Sequence, residues 1–410
     1  VQGLSAFRDE ARLGWRALLA AAVGLAFGLN SIPFYSLGVF ARPLIAEFGW
    51  TRAEFQGALA AMMIGTVASA WAVGSLLDRY GTRRVALASQ IGLALGLAGL
   101  TLAGPSARSW LAAWFVMAVL GIGTSAITWT RGIAAWFDRG RGFALGLGLT
   151  STGLMAFLLP PVVTWLIGTY GWRTAYLVLA ASVLAIGLPT VALLFREPPE
   201  AVLRRTFAGG AGLTLREALR GRRFWLLVAA FVLVAGTVAG LLLNLVPLLI
   251  DRGLTPASAA WYASLVGLNV VLGRLVVGAM LDRYWAPGVG AVVLSIPALS
   301  CVVLASGTGE TWLLGLAAAL IGFAAGAEFD LIAYLCTRYF GMRAYGRIYA
   351  WQWAAFSLAA GAGPALFGLA FDRAGHYGPA LWGGAAALVG GGLLLLALGR
   401  YPTHAAPESR

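Results

Sequence analysis

The sequence contains no lysine. Each of its 29 basic residues is an arginine, which excludes Schiff-base chemistry on a lysine and leaves the guanidinium as the chain's cation. Histidine is nearly absent: His376 and His404 lie near a helix end and in the tail, so a histidine-centred catalytic site is not expected. The two cysteines, Cys301 and Cys336, fall in separate apolar runs and suggest neither a disulfide framework nor a metal site. Phosphate-binding loops are missing too. GLGLTSTG (146–153) and the Gly-rich last apolar run lack a following lysine, and both read as apolar helix in which small residues allow close packing. Catalytic residues, cofactors and metals are therefore not expected. Charge of either sign is thin, at 11% of residues, against about 25% in soluble domains.

What fills the chain instead is apolar. Of 410 residues, 60% are hydrophobic, with 55 Gly, 16 Trp and 20 Phe. The net charge of +13 forms no basic domain. It comes in short spurts between long apolar runs, which argues for a membrane topology and against nucleic acid. A membrane-crossing helix needs about 20 mostly apolar residues. The runs give twelve spans near 17–44, 55–77, 84–104, 109–137, 142–169, 173–195, 223–250, 257–281, 286–306, 311–337, 345–371 and 378–399. The start, VQGLSAFRDEARLGWR, is amphipathic and leads into a run too long for a signal peptide, so no cleaved signal is expected.

Arginine placement orients the spans. One side holds Arg42, Arg52, Arg108, Arg173, Arg252 and Arg373. Arg131 and Arg274 lie inside spans, and all the others fall on the opposite side, including the loop near 196–223. The positive-inside rule then puts both termini in the cytoplasm of a multi-pass inner-membrane protein. That loop divides the chain into 1–195, a linker at 196–222, and 223–410. Within it Thr214 and Glu217 form a capping box, predicting a short helix lying on the membrane surface.

The chain repeats itself. GSLLDRYGTRRV (74–85) follows span 2 and GAMLDRYWAPGV (278–289) follows span 8, an offset of 204 positions from Gly74 to Gly278. Two parallel six-helix halves are a transporter architecture, with the substrate site near the midplane between them.

Gly74, Asp78, Arg79, Gly81, Arg83 and Arg84 resemble the loop signature of the major facilitator superfamily, and Gly278, Asp282 and Arg283 keep part of it. The resemblance implies an all-α integral membrane fold, twelve transmembrane helices in two pseudo-symmetric six-helix bundles. It also implies a conformational latch at Gly74, Asp78, Arg79, Arg83, Arg84, Asp282 and Arg283 that breaks when the cytoplasmic side opens. Finer features are similar to the monocarboxylate porter branch, including its oxalate–formate type: GVFARPLIAEFGWTRAE (38–54), DRGRGFALGLGLTSTG (138–153), LIGTYGWRTAYLVL (166–179), GRLVVGAMLDRY (273–284) and GLAFDRAGHYGPAL (368–381). Two positions depart from the animal-type pattern. Val270 stands where that subgroup has an Asp in span 8, and Tyr35 where it has a Lys in span 1. Gln352 or a neighbour replaces the span 11 Lys of the oxalate type, which weighs against a dianion.

Arg274, in VVLGRLVVGAM, lies about seven residues from the end of span 8, roughly 10 Å into the apolar layer. Snorkelling or a structural hydrogen bond is the plain reading. A cation lining the central cavity is preferred, because an intramembrane charge marks a substrate or ion path and a planar fork suits a carboxylate. At the repeat offset its counterpart is Ala70, so the arginine belongs to one half alone. Glu328 and Asp330 are the deep acids of span 10. Two positions apart, they point about 200° from each other, so one is expected to pair with Arg274 or carry a proton and the other to be structural. Asn30, Tyr35, Asn244, Asn269, Tyr334 and Gln352 complete the expected substrate-binding set. Singly, each reads more simply as an interhelical hydrogen bond. Trp129, Trp351 and Trp353 are expected to flank an apolar substrate moiety, and Arg131 to sit at the interface.

The reading is a monomeric secondary carrier of a small carboxylate of the lactate, pyruvate or acetate type, working by alternating access with proton symport. Its partners are substrate, protons and the bilayer. An organic anion exchanger of the oxalate–formate type and an exporter of amphipathic drugs are the alternatives. A receptor without transport is disfavoured by the lack of a signalling domain.

Overall fold

The computed structural model describes residues 2–137, 141–196, 212–281, 283–307, 309–341 and 343–402. Apart from one isolated β-bridge, these residues form helices, turns and short connections. Ten helices are long and apolar enough to cross a membrane among the described residues. An interrupted first span and the first part of the long helix Arg52–Gly99 complete the twelve, in two six-helix halves.

Span 1 consists of α1 (Gln2–Ala26) and α2 (Ile32–Phe48). The break between them precedes Pro33, which sits in the first turn of α2, where its missing N–H costs nothing. Spans 2 and 3 run on as α3 (Arg52–Gly99), started by a capping box between Thr51 and Glu54. The two meet at Gly81, whose φ of 79° is open to glycine and costly for other residues. Span 4 is also interrupted. Between α4 (Ala107–Gly121) and α5 (Ala126–Trp136) the chain tightens into a 3-10 turn at Ile122–Thr124. Span 5 is α6 (Arg141–Tyr170). Span 6 is α7 (Trp172–Ser182) and α8 (Leu188–Leu194), joined by a π-helical turn at Val183–Gly187.

The capping box predicted in the linker is present. Thr214 and Glu217 exchange hydrogen bonds and start α9 (Leu215–Arg220). The backbone amide and hydroxyl of Thr214 hold the Glu217 carboxyl below its usual range. Just before α9, Leu213 N donates to Phe340 O at 2.8 Å and Gly212 bridges to Gly341, so the linker docks on the turn after span 10. Then come α10 (Arg222–Asp251), α11 (Pro256–Leu281), α12 (Ala286–Ser295), α13 (Pro297–Ala305), α14 (Thr311–Phe340), α15 (Tyr345–Ala374) and α16 (Gly378–Leu396). Pro297 splits span 9 into α12 and α13.

Apolar packing follows the repeat. One buried core runs from Ala218 to Leu398, and another from Ala26 to Val183 takes in only Leu243 from the second half. The halves meet where α3 packs on α15 and α6 on α11.

A candidate anion site between the eighth and tenth spans

Three glycines bring α11 and α14 into backbone contact. A Cβ on Gly322 would lie 2.2 Å from Val266 O, one on Gly326 2.1 Å from Val270 O, and one on Gly273 2.1 Å from Phe323 O. No larger side chain fits at these positions unless the helices separate. Small residues at such spacing give close van der Waals packing in a medium where apolar burial drives nothing.

That contact sets Arg274 against Asp330. The Arg274 Nε lies 3.4 Å from Asp330 Oδ2, with the side chains 5% and 28% exposed. The contact is one of charge, since neither Nε nor Nη1 of Arg274 has a hydrogen-bond partner among the described residues. A guanidinium carries five N–H donors, so this one is held yet under-used. Glu328 goes deeper, at 4% exposed, and its Oε1 is buried without a hydrogen-bond partner among the described residues. The two acids thus part in environment, as the helix period requires. Tyr35 lies within electrostatic reach of both Arg274 and Glu328.

The neutral polar residues separate into two groups. Asn30 keeps a buried Oδ1 without a hydrogen-bond partner among the described residues, and Tyr35 lines a gap of about 30 Å³ between α2, α6, α10 and α11, space for water but not for an organic acid. The others are occupied. Asn244 exchanges hydrogen bonds with Gln56 at 2.5 and 2.9 Å and donates to Gly240 O, tying the two halves together. Gln352 Nε2 donates to Phe224 O at 3.2 Å while its Oε1 is buried without a hydrogen-bond partner among the described residues, and Asn269 donates to Leu265 O on its own helix. Tyr334 lies under the Arg338 guanidinium, 5.5 Å from the ring centre.

The expected tryptophans divide as well. Trp129 is fully buried, packed against Phe195 and donating to Thr124 O, and Trp351 is 54% exposed on the outside of the bundle, so neither flanks a cavity. Trp353 belongs to a ring ladder on α15: Tyr345, Tyr349, Trp353 and Phe356 follow at helical spacing, joined by Phe329 of α14. Within it Tyr349 lies in electrostatic reach of Asp330. Tyr349 is not among the residues expected from the sequence, although its i, i+4 relation to Trp353 is legible there. Arg131 is half-buried and has a partner.

Of the expected latch, Arg83 Nη2 donates to Ala192 O at 2.5 Å, tying α3 to α8, and Arg79 stacks over Tyr80. Arg84 and Arg283 are exposed, and Gly74 has open space where a Cβ would be. The Asp78 side chain and Asp282 lie outside the described residues.

At the other end of the bundle the halves are tied by groups the sequence reading left out. Arg52 pairs with Asp251 at 2.6 Å, donates to the Tyr377 hydroxyl at 2.6 Å and lies 3.8 Å over the Phe371 ring. Asp372 accepts from the backbone amides of Arg52 and Ala53 at 3.2 and 3.0 Å, capping α3 from the other half. The available signal was an acid at each of two helix ends, in LLIDRG and AFDRAG.

Known proteins agree with this architecture. A family profile described as Major Facilitator Superfamily matches residues 23–364. The chain is 30% identical to human monocarboxylate transporter 11 over 291 residues, 67% of this chain but only 58% of that protein. It is 28% identical to a gallate transporter of Pseudomonas putida, over 73% of each chain. Among solved structures, a D-xylose–proton symporter superposes with a TM-score of 0.72 at 15% identity, covering 95% of this chain and 98% of that one.

Proposed function

The chain belongs to the major facilitator superfamily and is a transporter rather than an enzyme; within that frame we propose that it carries a small organic monocarboxylate by alternating access, with proton symport. The observation that carries this reading is the half-satisfied Arg274, buried, touched by Asp330 at 3.4 Å and retaining an unpartnered Nη1. A carboxylate offers two oxygens in the plane of the guanidinium, the bidentate geometry that Asp330 does not achieve. Its arrival puts a second anion beside one cation. In a low-dielectric site an uncompensated charge costs several kcal/mol, so one carboxyl must take up a proton. Asp330, displaced from Arg274, and the enclosed Glu328 are the two groups able to do so. Substrate and proton then load together.

The chain's similarity to monocarboxylate transporters and to a gallate transporter suits a substrate with one carboxylate. Lactate, pyruvate or acetate is the primary expectation. An aromatic monocarboxylate is a second reading, favoured by the ring ladder that brings Tyr349 near Asp330. In this proposal Tyr35 and Asn30 line the path while Asn244, Asn269 and Gln352 serve packing. The chain acts as a monomer, divided at 1–195, 196–222 and 223–410, with both termini in the cytoplasm of an inner-membrane protein. The latch at Asp78, Arg79, Arg83, Arg84, Asp282 and Arg283 holds the cytoplasmic side in the opposite state.

The test is uptake of labelled lactate and benzoate into proteoliposomes under an imposed pH gradient. Wild-type accumulation should follow the gradient and Arg274→Gln should reduce it to the level of empty vesicles. Asp330→Asn should keep flux while weakening its response to the gradient. Accumulation by Arg274→Gln equal to wild type would sink the carboxylate assignment. Flux that needs substrate on the far side and ignores pH would make the protein an exchanger.

A further inference from the structure

In the first half of the chain, at the end of the bundle that carries most of the arginines, a cleft of about 310 Å³ opens between spans 1, 4 and 6. Arg12, Trp15, Arg16 and Ala17 of α1, Trp136 at the end of α5, and Leu194 and Arg196 at and beyond the end of α8 line it. Arg12 and Arg16 are one helical turn apart and so share a face of α1. Arg196 is brought opposite by a fixed contact, the Trp136 indole donating to Arg196 O at 3.0 Å. All three arginines are exposed. Among the described residues no carboxylate forms an ion pair with any of them. Three like charges converging on one cleft repel one another.

We propose that this cleft binds the phosphodiester headgroup of an anionic phospholipid. The chemistry of the wall favours a lipid over a free phosphate. Beside the cations stand Leu194 and Trp15, the latter 48% exposed with the Arg16 guanidinium 5.5 Å from its ring centre. Tryptophan at this level of a span suits the glycerol region of a bilayer, and Leu194 ends an apolar span. A headgroup with its acyl chains attached uses both the charged floor and the apolar rim, whereas inorganic phosphate uses only the first. Basic pockets between spans at a membrane face recognise such headgroups. The inference is independent of the carboxylate reading and needs only that the chain spans a bilayer.

The experiment uses the purified full chain, stripped of copurified lipid in a neutral detergent. Thermal unfolding is followed while phosphatidylglycerol, phosphatidylcholine or inorganic phosphate is added. A ligand bound only by the folded protein raises the midpoint in proportion to its occupancy. Phosphatidylglycerol should raise it saturably, and phosphatidylcholine and phosphate should not. The variant Arg12→Gln/Arg16→Gln/Arg196→Gln should weaken the apparent phosphatidylglycerol affinity on the order of a hundredfold, at about fivefold per arginine. The control Arg216→Gln/Arg220→Gln/Arg222→Gln removes equal charge from the linker side and should leave it unchanged. Should the triple variant fail to fold, Arg12→Gln and Arg196→Gln singly should each weaken affinity about fivefold. The proposal is overturned if the cleft variant binds phosphatidylglycerol like wild type, if the linker control loses as much, or if phosphate alone gives the same shift.

Discussion

Arg274 is the residue where charge, burial and geometry meet. Its partner Asp330 is 28% exposed while Arg274 is 5% exposed, so the acid faces the open side of the pair and the cation is enclosed. Arg274→Lys separates two roles. A lysine keeps the charge that faces Asp330 but offers a point charge in place of a planar fork. Losing one hydrogen bond to a charged group costs about 1.5–3 kcal/mol. Uptake by the Lys variant should therefore show a KM raised roughly tenfold to a hundredfold, with the thermal midpoint near wild type. An unchanged KM would assign Arg274 to Asp330 alone and take the substrate elsewhere. This residue was legible because a lone arginine in VVLGRLVVGAM has no other polar neighbour to explain it. Asn244 and Gln352 were not, because an amide in an apolar run looks the same whether it faces a cavity or another helix. The Asn244 partner, Gln56, is 188 positions away.

At the scale of elements, the Arg274–Asp330 contact depends on how closely α11 and α14 approach. Gly326 has Val270 O where a Cβ would go, at 2.1 Å, whereas Gly383 on α16 has nothing within 4 Å. Gly326→Leu should force the helices apart, lower thermal stability by the 1–3 kcal/mol typical of overpacking, and abolish uptake. Gly383→Leu should be neutral in both. If Gly326→Leu keeps wild-type uptake, backbone contact does not position the arginine. Hydropathy alone found the twelve spans, because apolar length is written directly in composition. It did not find the interruptions at 27–31 and 122–125. In span 4, Gly121, Gly123, Thr124 and Ser125 are small residues that helices of this kind also use for packing. The break is fixed by tertiary bonds, such as Leu29 N donating to Thr124 Oγ1 at 2.9 Å and Gly123 N to Ser89 Oγ at 3.1 Å. No local pattern encodes those partners.

For the whole molecule, the ties between halves decide which end is shut. Arg52, Asp251, Asp372 and Tyr377 join the two halves at one end, and Gln56 with Asn244 adds a second tie one helical turn further in. Under the proposed alternating access this end must release, so its contacts are expected to be individually modest. A partly exposed ion pair contributes about 0.2–1 kcal/mol and a neutral hydrogen bond about 1 kcal/mol. Arg52→Gln removes the ion pair, the tyrosine bond and the ring contact together, roughly 2 kcal/mol, which shifts a two-state population on the order of thirtyfold. Leu243 is 4% exposed and is packed beneath this closure, its carbonyl 2.7 Å from where a Gly38 Cβ would be. A Leu243→Cys reporter should therefore react slowly with an impermeant maleimide in the otherwise native chain, and faster by at least tenfold when Arg52→Gln is added. Cys301 and Cys336 are both buried and should contribute little background. Equal labelling rates would mean that the Arg52 cluster decorates the closed end without holding it, and would leave the packing of α3 on α15 as what keeps it shut.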